Sequence, residues 1–462
     1  FQPHFTYHGF RYVELSSEGG TVELLDCVGM VANTALLETS RFHCSDAMVN
    51  QLRENILWGQ RGNFFSVPTD CPQRNERMGW TGDAQVFCKT ANYNMQAKSF
   101  FKKYLRDIRD AQLKDGAITD VAPIVSKMGA GHAAWGDAIT IIPYITYLFS
   151  KDKSILTENY KAMKKWVAYC KSESIDYIRP SAGYGDWLSI HGLTPKDLMQ
   201  TAFFAYSVLL TCKVAAILEK FEDVKLYSQE FDAIRKSYND AFVSQDCRMP
   251  EDTQAGYVLS IAFDLVSEEC KEKMAGYLVD DIRKNGNHLT TGFIGISYLL
   301  PVLTDMGYAD IAYTLLLNRT YPSWGYSIEN GATTIWERWN SYTKESGFGD
   351  VSMNSFNHYS LGSVGEWMMG YMGGIRVTEE NAGFESVLLQ PVPDPMGRIT
   401  ECEVSYDSIK GEITSRWQLR DGLAYFIFQI PDGVCGKAVL PDGSIYKITS
   451  GEHRFTCPLK LS

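Results

Sequence analysis

The period of apolar positions changes twice along the chain. Residues 1–37 read as strands: FRYVEL (10–15) and TVELLDCVGMVA (21–32) are rich in β-formers, and SSEGG between them signals a turn. From about Ser40 the apolar residues recur at helical spacing. Ser45 and Asp46 stand as cap residues ahead of AMVNQLRENILWGQ. Further helices are predicted over 84–95, 97–113, 133–149, 155–173, 196–219, 223–242, 252–265, 267–284, 290–304, 307–318 and 359–372. KVAAILEK (213–220) is amphipathic, whereas AITIIPYITYLF (138–149) is apolar nearly all round and is predicted to be an inner helix. About a dozen helices without a fixed period fit two concentric rings, an (α/α)6 barrel of six hairpins, better than an α-solenoid. After about Gly373 the pattern returns to short strands, punctuated by the pairs Asp421-Gly422, Asp432-Gly433 and Asp442-Gly443. The fold class predicted is therefore mainly α. Residues 1–37 form a β segment, the tail of an upstream β domain; 38–373 form the barrel; 374–462 form a C-terminal antiparallel β-sandwich.

Composition narrows the partners. A net charge of -11 argues against nucleic acid and against an anionic membrane, since phosphates call for a basic patch. The longest apolar stretch, near Ala138–Phe149, is interrupted by Pro143 and falls short of the ~18 residues that span a bilayer. The chain starts at Phe1 and not Met, so an upstream segment is expected to have been removed, and cytoplasmic and exported locations both stay open. Eleven Cys without CxxC suggest buried free thiols, not a disulfide framework or a zinc site. The eight His are isolated, so no metal is expected. No cofactor is implied, and homo-oligomerisation is left open.

The candidate chemistry begins at PTDCPQRNERMGW, from Pro68 to Trp80. Asp70, Glu76 and Asp83 lie near two arginines in a stretch that Pro72, Gly79 and Gly82 keep from forming one straight helix. A folded loop would bring the three carboxylates to one pocket, where each raises the others' pKa. An Asp–Arg knot that pins the loop to the barrel is the plainer reading. A second segment, GATTIWERWNS (331–341), sets Glu337 between Trp336 and Trp339. HAAWGDA (132–138), YGDWL (184–188) and FNHYSLGSVGEW (356–367) repeat the combination of aromatic, acid or His, and Gly. Two carboxylic acids facing each other across an aromatic-lined pocket suit glycoside hydrolysis: one protonates the leaving oxygen, and the other activates water or attacks carbon.

PTDCPQRNERMGWTGDAQ closely resembles the signature of bacterial α-L-rhamnosidases of the (α/α)6 type, glycoside hydrolase family 78. The resemblance extends through FTYHGFRYVEL, AAWGDA, YGDWL, GFIGISYLLPVL, YPSW, GATTIWERWNS and SFNHYSLGSVGEW, and more loosely into the C-terminal part through GEITSRW. It implies an inverting exo-hydrolase that releases terminal α-L-rhamnose, with a carbohydrate as the partner. Glu76 matches the family's general acid and Glu337 its general base. Asp70, Arg74, Trp80, Asp83, Trp135, Trp187 and His358 match positions that bind rhamnose; Asp137 and Asp186 match by motif alone. Asn75 departs from the family, where Asp is common. Inversion calls for carboxyl groups ~6.5–9.5 Å apart, retention for ~5 Å. Two other functions share these residues: another carbohydrate-active enzyme on the same barrel, such as a lyase, and a non-catalytic rhamnose-binding protein.

Overall fold

A computed structural model describes residues 2–125 and 128–458, so Phe1 and residues 459–462 of the terminal ranges fall outside it. The first strand, β1 (Ser40–Cys44), leads into α1 (Ala47–Asn63), whose N-terminus is closed by the Asp46 carboxylate accepting from Val49 N at 3.0 Å. After the short strands β2 (Phe64–Phe65) and β3 (Val67–Pro68) come α2 (Thr81–Asn94), α3 (Lys98–Ala111), α4 (Ala138–Ser150), α5 (Lys153–Ser172), α6 (Lys196–Ile217) and α7 (Phe221–Phe242). The series ends with α8 (Gln254–Ala262), α9 (Glu268–Lys284), α10 (Phe293–Asp305), α11 (Ala309–Leu317), α12 (Trp324–Glu329) and a helical run over 360–372 that begins as 3-10 helix and ends as π-helix.

Two rings follow from two kinds of helix. In α3 the buried residues Phe100, Phe101, Tyr104, Leu105 and Ile108 share one face, which marks an outer helix. In α2 every residue but Lys89 is buried, so it needs neighbours on all sides. The contacts supply them: α2 packs on α4, α4 on α6, α6 on α8, α8 on α10, α10 on the 360–372 run, and that run on α2. This closes the inner ring, and α1, α3, α5, α7, α9 and α11 alternate with it in sequence. Helices α4 and α10 continue through Pro143 and Pro301. The inner position of α4 is as its sequence predicts, and it starts only at Ala138 because 132–137 form a turn. Helix α6 is long and apolar enough to cross a membrane by composition, a feature missed in the sequence, and 67% of its apolar window is buried within the ring.

The second unit is a two-sheet sandwich. After β4 (Tyr342–Thr343) and β5 (Gly347–Phe348), it is built from β6 (Ile375–Arg376), β7 (Ser386–Leu389), β8 (Glu401–Ser408), β9 (Gly411–Arg420), β10 (Leu423–Ile430), β11 (Cys435–Val439), β12 (Ile445–Ile448) and β13 (Gly451–Pro458). The sheets run β1-β8-β9-β10-β13 and β12-β11-β7-β6. In β10, Ala424, Phe426, Phe428 and Ile430 alternate inward, the period of two expected of a half-buried strand. Asp421 and Gly422, both at positive φ, make the two-residue turn between β9 and β10. All pairs are antiparallel except β7 with β11, which is parallel. Strand β1, from the start of the range assigned to the barrel, pairs with β8 and belongs to this sandwich.

Residues 2–37 differ from expectation. Among the described residues this stretch forms no strand, and most of it is exposed, Tyr12 at 90% and Leu25 at 85%. Strand-forming composition is not sufficient, because a strand needs a partner edge for its backbone groups. The segment instead runs extended over barrel loops: Tyr7 stacks on Phe65 at 4.7 Å, and Arg11 Nη2 donates to Gly331 O at 3.1 Å. The cysteines differ too. Cys247 and Cys270 are joined by a disulfide, a pairing across 23 residues that spacing alone does not announce. Cys44, Cys71, Cys88, Cys170, Cys402 and Cys457 are buried free thiols.

Candidate functional site

The inner helices gather their N-terminal loops at one end of the barrel. Segment 69–80, which precedes α2, is closed at its base by antiparallel bridges between Thr69 and Gly79 and between Trp80 and Val121. It presents Asp70, Arg74, Glu76 and Trp80, and Asp83 follows on the first turn of α2. Trp135 comes from the turn before α4, Tyr184 and Trp187 from the loop before α6, and Phe293 from the start of α10. Glu337, Ser352, Met353 and His358 come from the long connection before the 360–372 run. These thirteen residues line one cavity with about 680 Å3 of empty space, open solvent at its mouth included. A Cβ on Gly82 would lie 2.5 Å from the Trp135 ring, so only glycine lets this indole close on α2.

Arg74 sits between the two glutamates. Its Nη2 donates to Glu76 Oε2 and lies 3.8 Å from Glu337 Oε2. Glu76 Oε1 accepts from the Trp80 indole at 3.1 Å. Glu337 is 5% exposed. Burial raises its pKa, Asp83 and Glu76 add to the rise, and His358 and Arg74 pull the other way. Asn75 is exposed in the turn, so a charge there would be screened from Glu76.

His358 is held at both nitrogens. Its Nδ1 accepts from Ser360 N at 3.1 Å, which leaves the proton on Nε2, 3.2 Å from Asp83 Oδ1. Burial opposes its charging, but Asp83, Glu337 and Asp70 together bring its pKa above the ordinary imidazole value. A second proton would require giving up the Ser360 amide.

Asp70 is buried beside Glu76 and accepts from Met78 N at 3.1 Å. Burial first, and then the Glu76 charge, push its pKa up to about 8. An unfolded Asp titrates near 4, so between about pH 4 and 8 the native chain holds a proton that the unfolded chain has lost, and stability falls across that window. Asp70→Asn is expected to flatten this fall. Melting temperatures measured from pH 4 to 8 check it, and unchanged pH dependence would mean that Asp70 does not hold that proton.

Two groups of potential metal ligands meet at Cys71: Cys71, Glu337 and His358, and Asp70, Cys71 and Glu76, each within 4.8 Å. Their chemistry fits a metal poorly. Burial and the surrounding carboxylates push the thiol pKa up, and both His358 nitrogens are taken.

Asp137 and Asp186, matched by motif alone, do not line the cavity. Asp137 is fully buried, and its carboxylate accepts from Ala134 N at 2.8 Å, Trp166 Nε1 at 2.9 Å and Ser207 Oγ at 2.5 Å. Its pKa is pushed up to about 6 by burial, against those bonds. Asp186 accepts from Gly292 N at 2.8 Å, Ile294 N at 2.9 Å and Gly295 N at 3.0 Å. Gly292 precedes α10 and has no side chain to cap it, and a Cβ there would meet Trp187 O at 2.1 Å. Asp186 therefore caps α10 from another loop. Asp186→Ala is expected to cost about 3 kcal/mol or more by stranding buried amides, read as a lowered denaturation midpoint; a loss under about 1 kcal/mol would refute the capping role.

Tyr184, Phe293, Ser352, Met353 and Cys71 were not singled out from sequence. Tyr184 and Phe293 stand inside quoted motifs, YGDWL and GFIGISYLLPVL, which were the only signal for them.

Comparison with known proteins agrees with this geometry. Residues 37–372 match the bacterial alpha-L-rhamnosidase 6 hairpin glycosidase domain, and residues 374–455 match the bacterial alpha-L-rhamnosidase C-terminal domain. The chain belongs to the bacterial α-L-rhamnosidase family. An α-L-rhamnosidase of Streptomyces avermitilis is 42% identical over 475 residues, covering 99% of this chain and 46% of that protein. One from an Alteromonas species is 35% identical, covering 100% and 51%. The chain thus spans about half the length of the curated rhamnosidases it matches. The crystal structure of the Streptomyces avermitilis enzyme complexed with L-rhamnose superposes with a TM-score of 0.89, covering 92% of this chain and 43% of that one. The Aspergillus terreus α-L-rhamnosidase gives 0.87 at 31% identity, covering 92% and 50%. The family's six-hairpin barrel is the ring of α1 to α11 closed by the 360–372 run.

Proposed function

We propose that this rhamnosidase-family chain is an exo-acting glycoside hydrolase that releases terminal α-L-rhamnose with inversion at the anomeric carbon. The observation that carries the reading is the meeting of Glu76 and Glu337, 261 positions apart in numbering, on one arginine in one aromatic-walled cavity. Glu76 protonates the departing oxygen. Glu337, made more basic by burial, takes a proton from the water that attacks the anomeric carbon. The Arg74 guanidinium pairs with both carboxylates and so ties the two glutamates to one pocket.

The remaining residues divide by chemistry. Asp70, Asp83 and Arg74 offer hydrogen bonds to sugar hydroxyls, and His358 orients Asp83 among them. The carboxylates add negative potential that favours an oxocarbenium-like ring. Trp80, Trp135 and Trp187 present aromatic faces to the apolar side of the sugar. Phe293 and Met353 add the apolar wall that a 6-methyl group requires and that would strand a 6-hydroxyl. We assign this work to a barrel over 38–373, less β1, with 374–462 as an accessory sandwich and 1–37 as a separate segment.

Incubation with p-nitrophenyl α-L-rhamnoside, followed by proton NMR, tests the reading. Release of rhamnose that appears first as the β-anomer is expected. First appearance of the α-anomer would refute inversion, and rhamnose binding by calorimetry without turnover would refute the hydrolase.

A further inference from the structure

Asp120 lies behind the cavity wall, with no exposed surface and no place in the scheme above. Its Oδ2 accepts from the Tyr184 hydroxyl at 2.8 Å and meets His132 Nδ1 at 2.8 Å. Its Oδ1 is buried without a partner. A buried carboxylate with one oxygen unsatisfied is costly, so the position demands a reason.

Tyr184 supplies one. Its ring is the hub of the aromatic wall: 4.5 Å from Trp135, and edge-on at 5.9 Å to both Trp80, with an interplanar angle of 88°, and Trp187. A tyrosine held only by such contacts can tilt; one whose hydroxyl also donates to a buried carboxylate is fixed at its far end by a directional bond. The edge contact then sets the tilt of Trp80, whose N–H donates to Glu76 Oε1 at 3.1 Å. Without that donor Glu76 is held by Arg74 alone, which draws it toward Glu337.

We propose that Asp120 is a positioning residue for proton delivery, acting through the Tyr184 hydroxyl and Trp80 to hold the Glu76 carboxyl in its protonating orientation. The inference rests on the hydrolase reading above and deepens it. A merely structural role is the rival, because Asp120 O also accepts from Thr81 N at 2.9 Å at the start of α2. That bond comes from the backbone and survives substitution of the side chain.

The two roles separate by leaving group. A misplaced acid slows substrates that need protonation and spares those that do not, whereas a loosened fold slows both. Asp120→Leu, which keeps the volume but has no acceptor, and Tyr184→Phe, which removes only an oxygen, are to be compared with wild type on methyl α-L-rhamnoside and 2,4-dinitrophenyl α-L-rhamnoside. Each variant is expected to lose about tenfold or more in kcat on the methyl glycoside and less than about twofold on the dinitrophenyl glycoside. The double variant should be no worse than either single one, because both break the same bond. Trp80→Phe, which removes the indole donor, should slow the methyl glycoside more than the dinitrophenyl glycoside. Equal losses on both substrates, additive losses in the double variant, or unchanged activity would each overturn the proposal. Should Asp120→Leu not fold, Tyr184→Phe decides alone. If wild type releases no rhamnose from either substrate, the hydrolase reading fails and this role with it, whereas equal losses in the variants of an active enzyme overturn this role alone.

Discussion

Glu337→Ala is expected to lower kcat on p-nitrophenyl α-L-rhamnoside by about 10³-fold, within the 10²–10⁴ that a positioned general base supplies. Millimolar azide should restore part of the rate by attacking from the side where water is normally held. Geometry makes this rescue specific. The vacated side chain leaves a space beside Arg74, whose guanidinium N–H groups can face a small anion. The rescued product should be β-L-rhamnosyl azide, identifiable by NMR. Full activity without azide would remove Glu337 from the mechanism, and an α-azide would argue for retention. Circular dichroism guards against a trivial loss, since Glu337 N also bonds Ser355 O at 2.9 Å through the backbone, a contact the substitution keeps.

Glu76→Gln should divide substrates by leaving group. Alkyl and saccharide rhamnosides, whose departing oxygen needs a proton, are expected to slow by about 10³-fold, and dinitrophenyl rhamnoside by about tenfold or less. Glutamine keeps the size of the side chain and one of its two acceptors, for Trp80 Nε1 or Arg74, so circular dichroism should show the fold unchanged. The limb of the pH–rate profile that reports the acid should vanish with it. Equal falls on both classes would withdraw the acid role from Glu76 and turn attention to its partner Asp70, whose pKa is pushed up to about 8.

Much of this was legible in the chain because the information is local. All-round apolar character marked α4 as inner, and DG pairs marked the β9–β10 turn, since helix burial and a two-residue hairpin depend on neighbours a few positions away. Glu76 and Glu337 stood out as carboxylates beside indoles. The errors are equally instructive. Asp137 and Asp186 carry the same aromatic–Gly–Asp signature as the cavity residues, yet each turns inward to satisfy backbone or indole N–H groups. A motif gives the residue type, and only the backbone direction decides which way its side chain faces. FRYVEL and TVELLDCVGMVA have the composition of strands, but a ladder is a property of two segments and not of one.

The sequence by itself determined that about a dozen helices would follow one another with 138–149 an inner one, that a β unit would follow them, and that carboxylates and tryptophans would share loops, because periodicity and turn chemistry are short-range. Tertiary structure alone decided that Arg74 lies between Glu76 and Glu337, that His358 Nε2 faces Asp83, and that Asp120 stands behind Tyr184. Those are contacts between residues tens to hundreds of positions apart, and closure of the inner ring is what brings their loops to one end. The elevated pKa values of Asp70 and Glu337 belong to the same class, since burial is the first cause of each and is set by the whole chain.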